Sequence, residues 1–243
     1  MRNICTITRR ELSLYFNTPA VYLVAFMILL ILGILFYANL MAAFVRQFAP
    51  GVEVILSPFI MILLFGTAAI TMRTIAEEQK SGTIELMLTA PVRDSEFVIG
   101  KWLGAFLFML IIVAITWIYP LVLNALVDPG IDQGPLLTGY IGVVLICAAL
   151  TAIGVSISAL FSNQIAAFFA TLGVYLLLWV IGVPSQIQGG TGDSLLAYID
   201  FSDHFYNTLF RGVIGATDIV YYLSVTALAL LIGTLIVETR RWR

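Results

Sequence analysis

Charge is scarce in this sequence. Only 11% of the residues are Asp, Glu, Lys or Arg, where a soluble domain carries about 25%. The net charge of −2 leaves no basic surface for nucleic acid, whose binding depends on neutralising phosphates. Histidine occurs once, at His204, and cysteine twice, at Cys5 and Cys147. So sparse a set builds neither a disulfide framework nor a Cys/His metal site. No Gly-x-x-x-x-Gly-Lys-Ser/Thr loop is present, so the chain has no phosphate cradle with which to use ATP itself. Neither a Gly-x-Ser-x-Gly elbow nor a His-Glu-x-x-His pair occurs, and the Asp203-His204 neighbours in a loop are a weak catalytic pair. Setting tyrosine and cysteine aside, no ionisable residue lies between Lys101 and Asp128 or between Asp132 and Asp193. Proton- and ion-coupled carriers place such groups inside the bilayer. Their absence argues against coupling to an ion gradient, so energy comes from outside the chain or the protein is passive.

Hydrophobic residues make up 61% of the chain, and the mean hydropathy is +1.04. A soluble core of this size cannot hide that much apolar surface, so the sequence predicts an all-α membrane protein. Apolar runs of spanning length fall at roughly 20–41, 54–72, 102–123, 136–160, 165–183 and 218–237. Each matches a hydrocarbon core about 30 Å thick. The runs are continuous rather than alternating, which selects helices over barrel strands. The first run is too long for a signal-peptide core. The chain therefore reads as one transmembrane domain, 1–243, with six spans.

Six crossings put both termini on one side. The inner segments then hold Arg2, Arg9, Arg10, Arg73, Lys80, Arg93, Lys101, Arg240, Arg241 and Arg243, while the outer ones hold Arg46 and Arg211. This bias predicts cytoplasmic termini. The polar stretch 73–101 is then cytoplasmic, the turn Phe161-Ser162-Asn163-Gln164 is a short inner link, and the loops near 42–53, 124–135 and 184–217 are external. The last of these is long and rich in aromatics, from Tyr198 to Phe210. One or two short helices dipping into the outer leaflet are expected there.

Residues 2–17 form a separate amphipathic helix. Ile4, Cys5, Ile7, Leu12, Leu14, Tyr15 and Phe16 share one arc, and Asn3, Thr6, Arg9, Arg10 and Ser13 share the other. Such a helix lies in the interface plane. Glu11 falls inside the apolar arc, where a lone carboxylate is costly. It either pairs with a cation such as Arg73 or reaches water at the helix end. In span four, Gly142, Ala148, Ala149, Ala152, Gly154 and Ser156 allow close helix packing. Thr116, Asn124, Thr151, Ser158 and Thr171 either bond neighbouring helices or line a polar path.

The stretch 73–101 carries the strongest local signal. Gly82 supplies a turn and Thr83 an N-cap. Glu85 sits in a first helical turn, where the dipole favours negative charge. Pro91 ends the helix, which runs roughly from Ile84 to Ala90. So short a helix needs packing to be stable. Ile84, Met87 and Leu88 share a face that fits a groove on another protein or the inner ends of the flanking spans.

The pattern Glu77-Glu78-Gln79-Lys80-Ser81-Gly82-Thr83-Ile84-Glu85-Leu86-Met87-Leu88-Thr89-Ala90-Pro91, followed by Gly100-Lys101, resembles the permease subunits of type-2 ATP-binding-cassette exporters. Arg10-Glu11-Leu12 and Tyr15-Phe16-Asn17-Thr18-Pro19 are similar to that family's elbow helix. Within it, the chain looks most like the bacterial gliding-motility-associated permease subgroup. The resemblance implies that two permeases pair, as homodimer or heterodimer, in a bacterial inner membrane. It implies that a separate ABC ATPase subunit holds the ATP and Mg, with no cofactor on this chain. The hairpin residues Gly82, Thr83, Glu85, Leu86 and Leu88 then transmit force, and Glu77 and Glu78 fix the hairpin against the elbow, with its Arg9, Arg10 and Glu11, or against the ATPase. An accessory envelope protein is a further implied partner. The alternative reading is a membrane scaffold moved by the ATPase without solute transport.

Overall fold

Breaker residues divide the apolar runs into helices. The computed structural model describes residues 2–47, 50–83, 92–128, 130–181 and 198–241. Among them every regular element is helical. Helix α1 spans Arg2–Asn17. Thr18 is extended, and Pro19 opens α2, Pro19–Val45, because a proline at the first helical position loses no intrahelical bond. Helix α3 (Glu53–Thr71) is followed after a short irregular step by the polar α4 (Ala76–Lys80). Next come α5 (Asp94–Ile115) and α6 (Ile118–Leu126). Helices α7 (Gln133–Ser158) and α8 (Gln164–Val180) start on side-chain caps. Asp132 accepts from the Gly134 N–H at 3.0 Å and Asn163 from the Ile165 N–H at 2.9 Å. A short α9 (Asp203–Tyr206) and a 3-10 turn (Leu209–Arg211) precede α10, Ala216–Arg241.

Five helical stretches are long and apolar enough to cross a membrane: α2, α3 with α4, α5 with α6, α7, and α10. The fifth predicted run, 165–183, appears as α8, a shorter apolar helix of 17 residues. Helix α7 is the axis of the bundle, packed by α3, α5, α8 and α10. Its expected small residues Gly142, Ala148, Ala149, Ala152, Gly154 and Ser156 are all buried. Ser156 Oγ donates to the Ala229 carbonyl of α10 at 2.6 Å, a contact that two thicker side chains would prevent. Helices α2 and α10 instead expose Leu23, Phe26, Ile34, Leu228, Leu231 and Leu235. An apolar band of this kind needs lipid or a partner to cover it.

The third predicted run, 102–123, is not one helix. It breaks between α5 and α6 at Thr116-Trp117. Pro120 has no N–H, so the Thr116 carbonyl loses its i+4 donor. That carbonyl accepts instead from the Tyr119 N–H and from the Tyr140 hydroxyl of α7, both at 3.1 Å. An unsatisfied carbonyl in this environment costs several kcal/mol. The Tyr119 N–H and the Tyr140 hydroxyl together keep this carbonyl satisfied at the break.

The aromatic segment before α10 folds inward rather than standing alone. Phe201, Phe205 and Leu209 are fully buried. The Leu209 carbonyl accepts from Thr138 Oγ1 of α7 at 2.7 Å. Residues 182–197, the end of the fifth predicted run and the first part of the expected external segment 184–217, lie outside the described residues.

Candidate functional site

Two i,i+4 rows meet where α1 crosses α5. Asn3, Ile7, Glu11 and Tyr15 on α1 face Glu96, Gly100, Gly104 and Phe108 on α5. Asn3 Nδ2 donates to Glu96 Oε2 at 3.0 Å, and the rings of Tyr15 and Phe108 stack at 5.3 Å. Between these ends the backbones come close. A Cβ on Gly100 would lie 2.8 Å from the Ile7 side chain, and one on Gly104 would lie 2.5 Å from the Glu11 Cβ. Thr8 Oγ1 uses the gap to donate to the Gly100 carbonyl at 3.2 Å.

Lys101 sits at this crossing and is 1% exposed. An ammonium has three donors, and the cluster supplies three acceptors. Lys101 Nζ lies 2.9 Å from Glu11 Oε1, 2.9 Å from Glu78 Oε1 and 2.7 Å from the Thr74 carbonyl. One cation thus joins α1, α4, the step before α4, and α5. Of the two expectations for Glu11, pairing with a cation is the one the structure shows. It does not reach water, and its partner is Lys101 rather than Arg73. The buried row of α1, with Glu11 and Tyr15, runs along the centre of the apolar arc, while Leu14 and Phe16 at its two edges stay exposed.

Arg73 pairs instead with Glu77, one turn on, at 3.0 Å and near solvent. Exposed pairs of this kind contribute about 0.3–0.5 kcal/mol, so the buried Lys101 cluster is the stronger tie. Glu78 lies past the end of the apolar run in α3. Burial pushes its carboxyl above the usual range, and Lys101 opposes that shift. Its Oε2 is buried with no hydrogen-bond partner among the described residues. Helix α4 is also held to the end of α7. The Ile75 and Ala76 N–H groups donate to Ser158 Oγ at 3.1 and 3.0 Å, and Gln79 Nε2 donates to the Ala159 carbonyl at 2.7 Å. A cleft of about 230 Å³ opens among Arg10, Glu11, Tyr15, Arg73, Glu78 and Lys101.

The other predicted residues fall around this cluster. Arg9 and Arg10 are exposed on α1. Gly82 has a φ of +71°, which fits the expected turn. Thr83 Oγ1 reaches back to Ser81 Oγ at 2.9 Å. The helix expected over Ile84, Glu85, Leu86, Met87 and Leu88, with its stop at Pro91, lies outside the described residues. Lys101 was not singled out as a site residue. Its signal was a charge at the entry to an otherwise uncharged span, matched by the misplaced Glu11.

Most of the polar span residues make hydrogen bonds that tie the fold together. Thr151 Oγ1 accepts from Trp102 Nε1 at 3.1 Å, Asn124 Oδ1 accepts from the Ile131 N–H at 3.1 Å, Ser158 bonds as described, and Thr116 Oγ1 lies 3.3 Å from the Tyr140 hydroxyl. Thr171 Oγ1 is buried without a partner among the described residues. At the far end of the bundle, His204 does not pair with Asp203. It bonds Asp218, and Asp203 accepts from Asn207.

A family model described as ABC-2 family transporter protein matches residues 49–199. The match spans more than half of the chain, from α3 through α8, and contains the polar stretch 73–101. The chain belongs to this family, whose membrane domains are permease parts of ABC transporters. No curated protein matches it. With its five long apolar helices, the chain is an integral membrane protein.

Proposed function

We propose that this chain is the permease subunit of an ATP-driven exporter, working as a dimer and powered by a separate ABC ATPase that binds the ATP and Mg²⁺. Helix α8 completes six spans. At 1.5 Å per residue its 17 residues reach about 25 Å, the lower end of a spanning length. Both termini then face the cytoplasm of a bacterial inner membrane, and α1 is the elbow helix. Within the family we place the chain nearest the gliding-motility-associated subgroup.

The observation that carries this reading is the Lys101 cluster. It ties the base of the polar stretch 73–101 to α1 and α5 at one buried point. The Ser158 bonds tie the same base to α7. A push on the 84–91 segment by an ATPase would therefore reach α1, α5 and α7 through buried contacts. Glu77, Glu78, Gly82 and Thr83 form the root of that lever. Ile84, Glu85, Leu86, Met87, Leu88 and Pro91 are the residues we assign to contact with the ATPase.

The test is reconstitution of the permease with its co-purifying ABC ATPase. Vesicles should move an amphiphilic cargo only with ATP and both subunits present. Leu88→Asp should abolish ATPase stimulation by placing a charge in an apolar groove, with permease melting unchanged. Unaltered ATPase binding and stimulation in Leu88→Asp would remove the lever assignment. Full ATPase coupling without movement of any solute would favour the scaffold reading.

A further inference from the structure

His204, the single histidine of the sequence, lies at the end of the bundle opposite Lys101, under the start of α10. Its ring is nearly buried and is bonded at both nitrogens. Nδ1 lies 2.7 Å from Asp218 Oδ1, and Nε2 lies 2.9 Å from the Tyr198 carbonyl oxygen. A carbonyl only accepts, so Nε2 must donate. An ionised carboxylate only accepts as well, so Nδ1 must then donate too. A neutral imidazole has one N–H and leaves one of these contacts as two lone pairs facing each other. The geometry therefore contains one proton more than a neutral ring beside a carboxylate, whichever of Nδ1 and Oδ1 holds it more tightly.

We propose that His204 is a proton-operated latch. It holds the 198–211 segment against the start of α10 while the His204–Asp218 pair keeps this proton, and lets go of one side when the proton leaves. The sign follows directly. The latch is closed on the acid side of the ring's titration and weakens as pH rises through it.

The surroundings make the ring a connector. Tyr221 of α10 stacks on it at 4.1 Å, and Tyr222 of α10 and Tyr198 of its own segment meet it edge-on at 6.4 and 5.3 Å. Two other carboxylates lie on the ring's own segment. Asp200 Oδ1 is taken by the Ser202 N–H and hydroxyl, and Asp203 by Asn207. Asp218 is thus the carboxylate that meets the ring. Further bonds bring the segment to α10 or α7 at fixed points: the Tyr221 hydroxyl to the Ile199 carbonyl, the Tyr222 hydroxyl to the Phe201 carbonyl, and Thr138 to the Leu209 carbonyl. None of those donors is an imidazole, so the His204–Asp218 contact is the tie whose geometry depends on an added proton. The inference does not depend on what the protein transports.

The experiment uses full-length protein in nanodiscs, labelled with ¹⁵N-histidine. One histidine gives one pair of ring signals, which report its protonation directly. Backbone hydrogen exchange of 198–211, corrected for the intrinsic pH effect, is followed over the same range. Protection should fall by about tenfold or more, the equivalent of one charge-assisted hydrogen bond, across the interval in which the ring loses its proton. Asp218→Asn separates the latch from a merely structural role. The amide N–H can donate to Nδ1 of a neutral ring, so both contacts survive and protection should stay high throughout. His204→Gln should remove the step because nothing there titrates. Protection that is flat through the ring's titration in the parent protein would overturn the proposal. So would a step that persists unchanged in Asp218→Asn.

Discussion

Lys101 is surrounded by acceptors it cannot abandon cheaply. Replacing it with Met leaves Glu11 and Glu78 buried without their cation. Breaking a buried pair from one side costs about 3–5 kcal/mol, and Lys101→Met should lower stability by that order in detergent unfolding. Glu11→Gln should cost less, about 1–3 kcal/mol, because Lys101 keeps Glu78 and the Thr74 carbonyl. A double-mutant cycle of the two gives their coupling. A Lys101→Met protein as stable as the parent would show that the cluster is not formed. For comparison, membrane hydrogen bonds average about 0.6 kcal/mol. Trp102→Phe, which removes one donor to Ala148 and Thr151, should therefore be nearly silent in the same assay.

At the scale of helices, close approach sets the geometry of the α1–α5 crossing. Gly104→Ala places a methyl group against the Glu11 Cβ. Helix α1 must then move or tilt, at a cost of about 1–3 kcal/mol. The expected result is lower thermal stability together with weaker protection of α1 in hydrogen exchange. Gly173→Ala is the control, because nothing stands near its Cβ. It should leave both readings unchanged or slightly improved. Element positions were legible in the sequence where a long apolar run met a breaker or a polar turn, as at Pro19 and at Phe161-Ser162-Asn163-Gln164. The break at Thr116-Trp117 was not, although Pro120 was in plain view. A proline tells where a bond is lost, but one of the two donors that replace it, Tyr140, lies 24 positions away.

For the whole molecule, orientation is open to a direct test with the native thiols. Cys5 is exposed on α1 and Cys147 is buried in α7. A membrane-impermeant thiol reagent should therefore leave intact cells unlabelled and label inverted vesicles at Cys5. Gln47→Cys, at the opposite end of α2, should show the reverse pattern. Labelling of Cys5 from outside intact cells would invert the topology and move the 73–101 stretch away from any cytoplasmic ATPase. The family match over 49–199 supports the permease class, and the labelling pattern decides which way that permease faces.

Composition and the order of apolar runs determined, without any structure, that the chain is helical and membrane-embedded, and marked the polar stretch after the second run as its most distinctive feature. These properties are local, because hydropathy and helix breaking depend on neighbours along the chain. Tertiary structure alone decided which charges meet. Glu11 and Lys101 are 90 residues apart, and His204 and Asp218 belong to different helices. Burial makes such pairs compulsory, since a charge removed from water must find a partner, but only the packing of helices determines which partner is within reach.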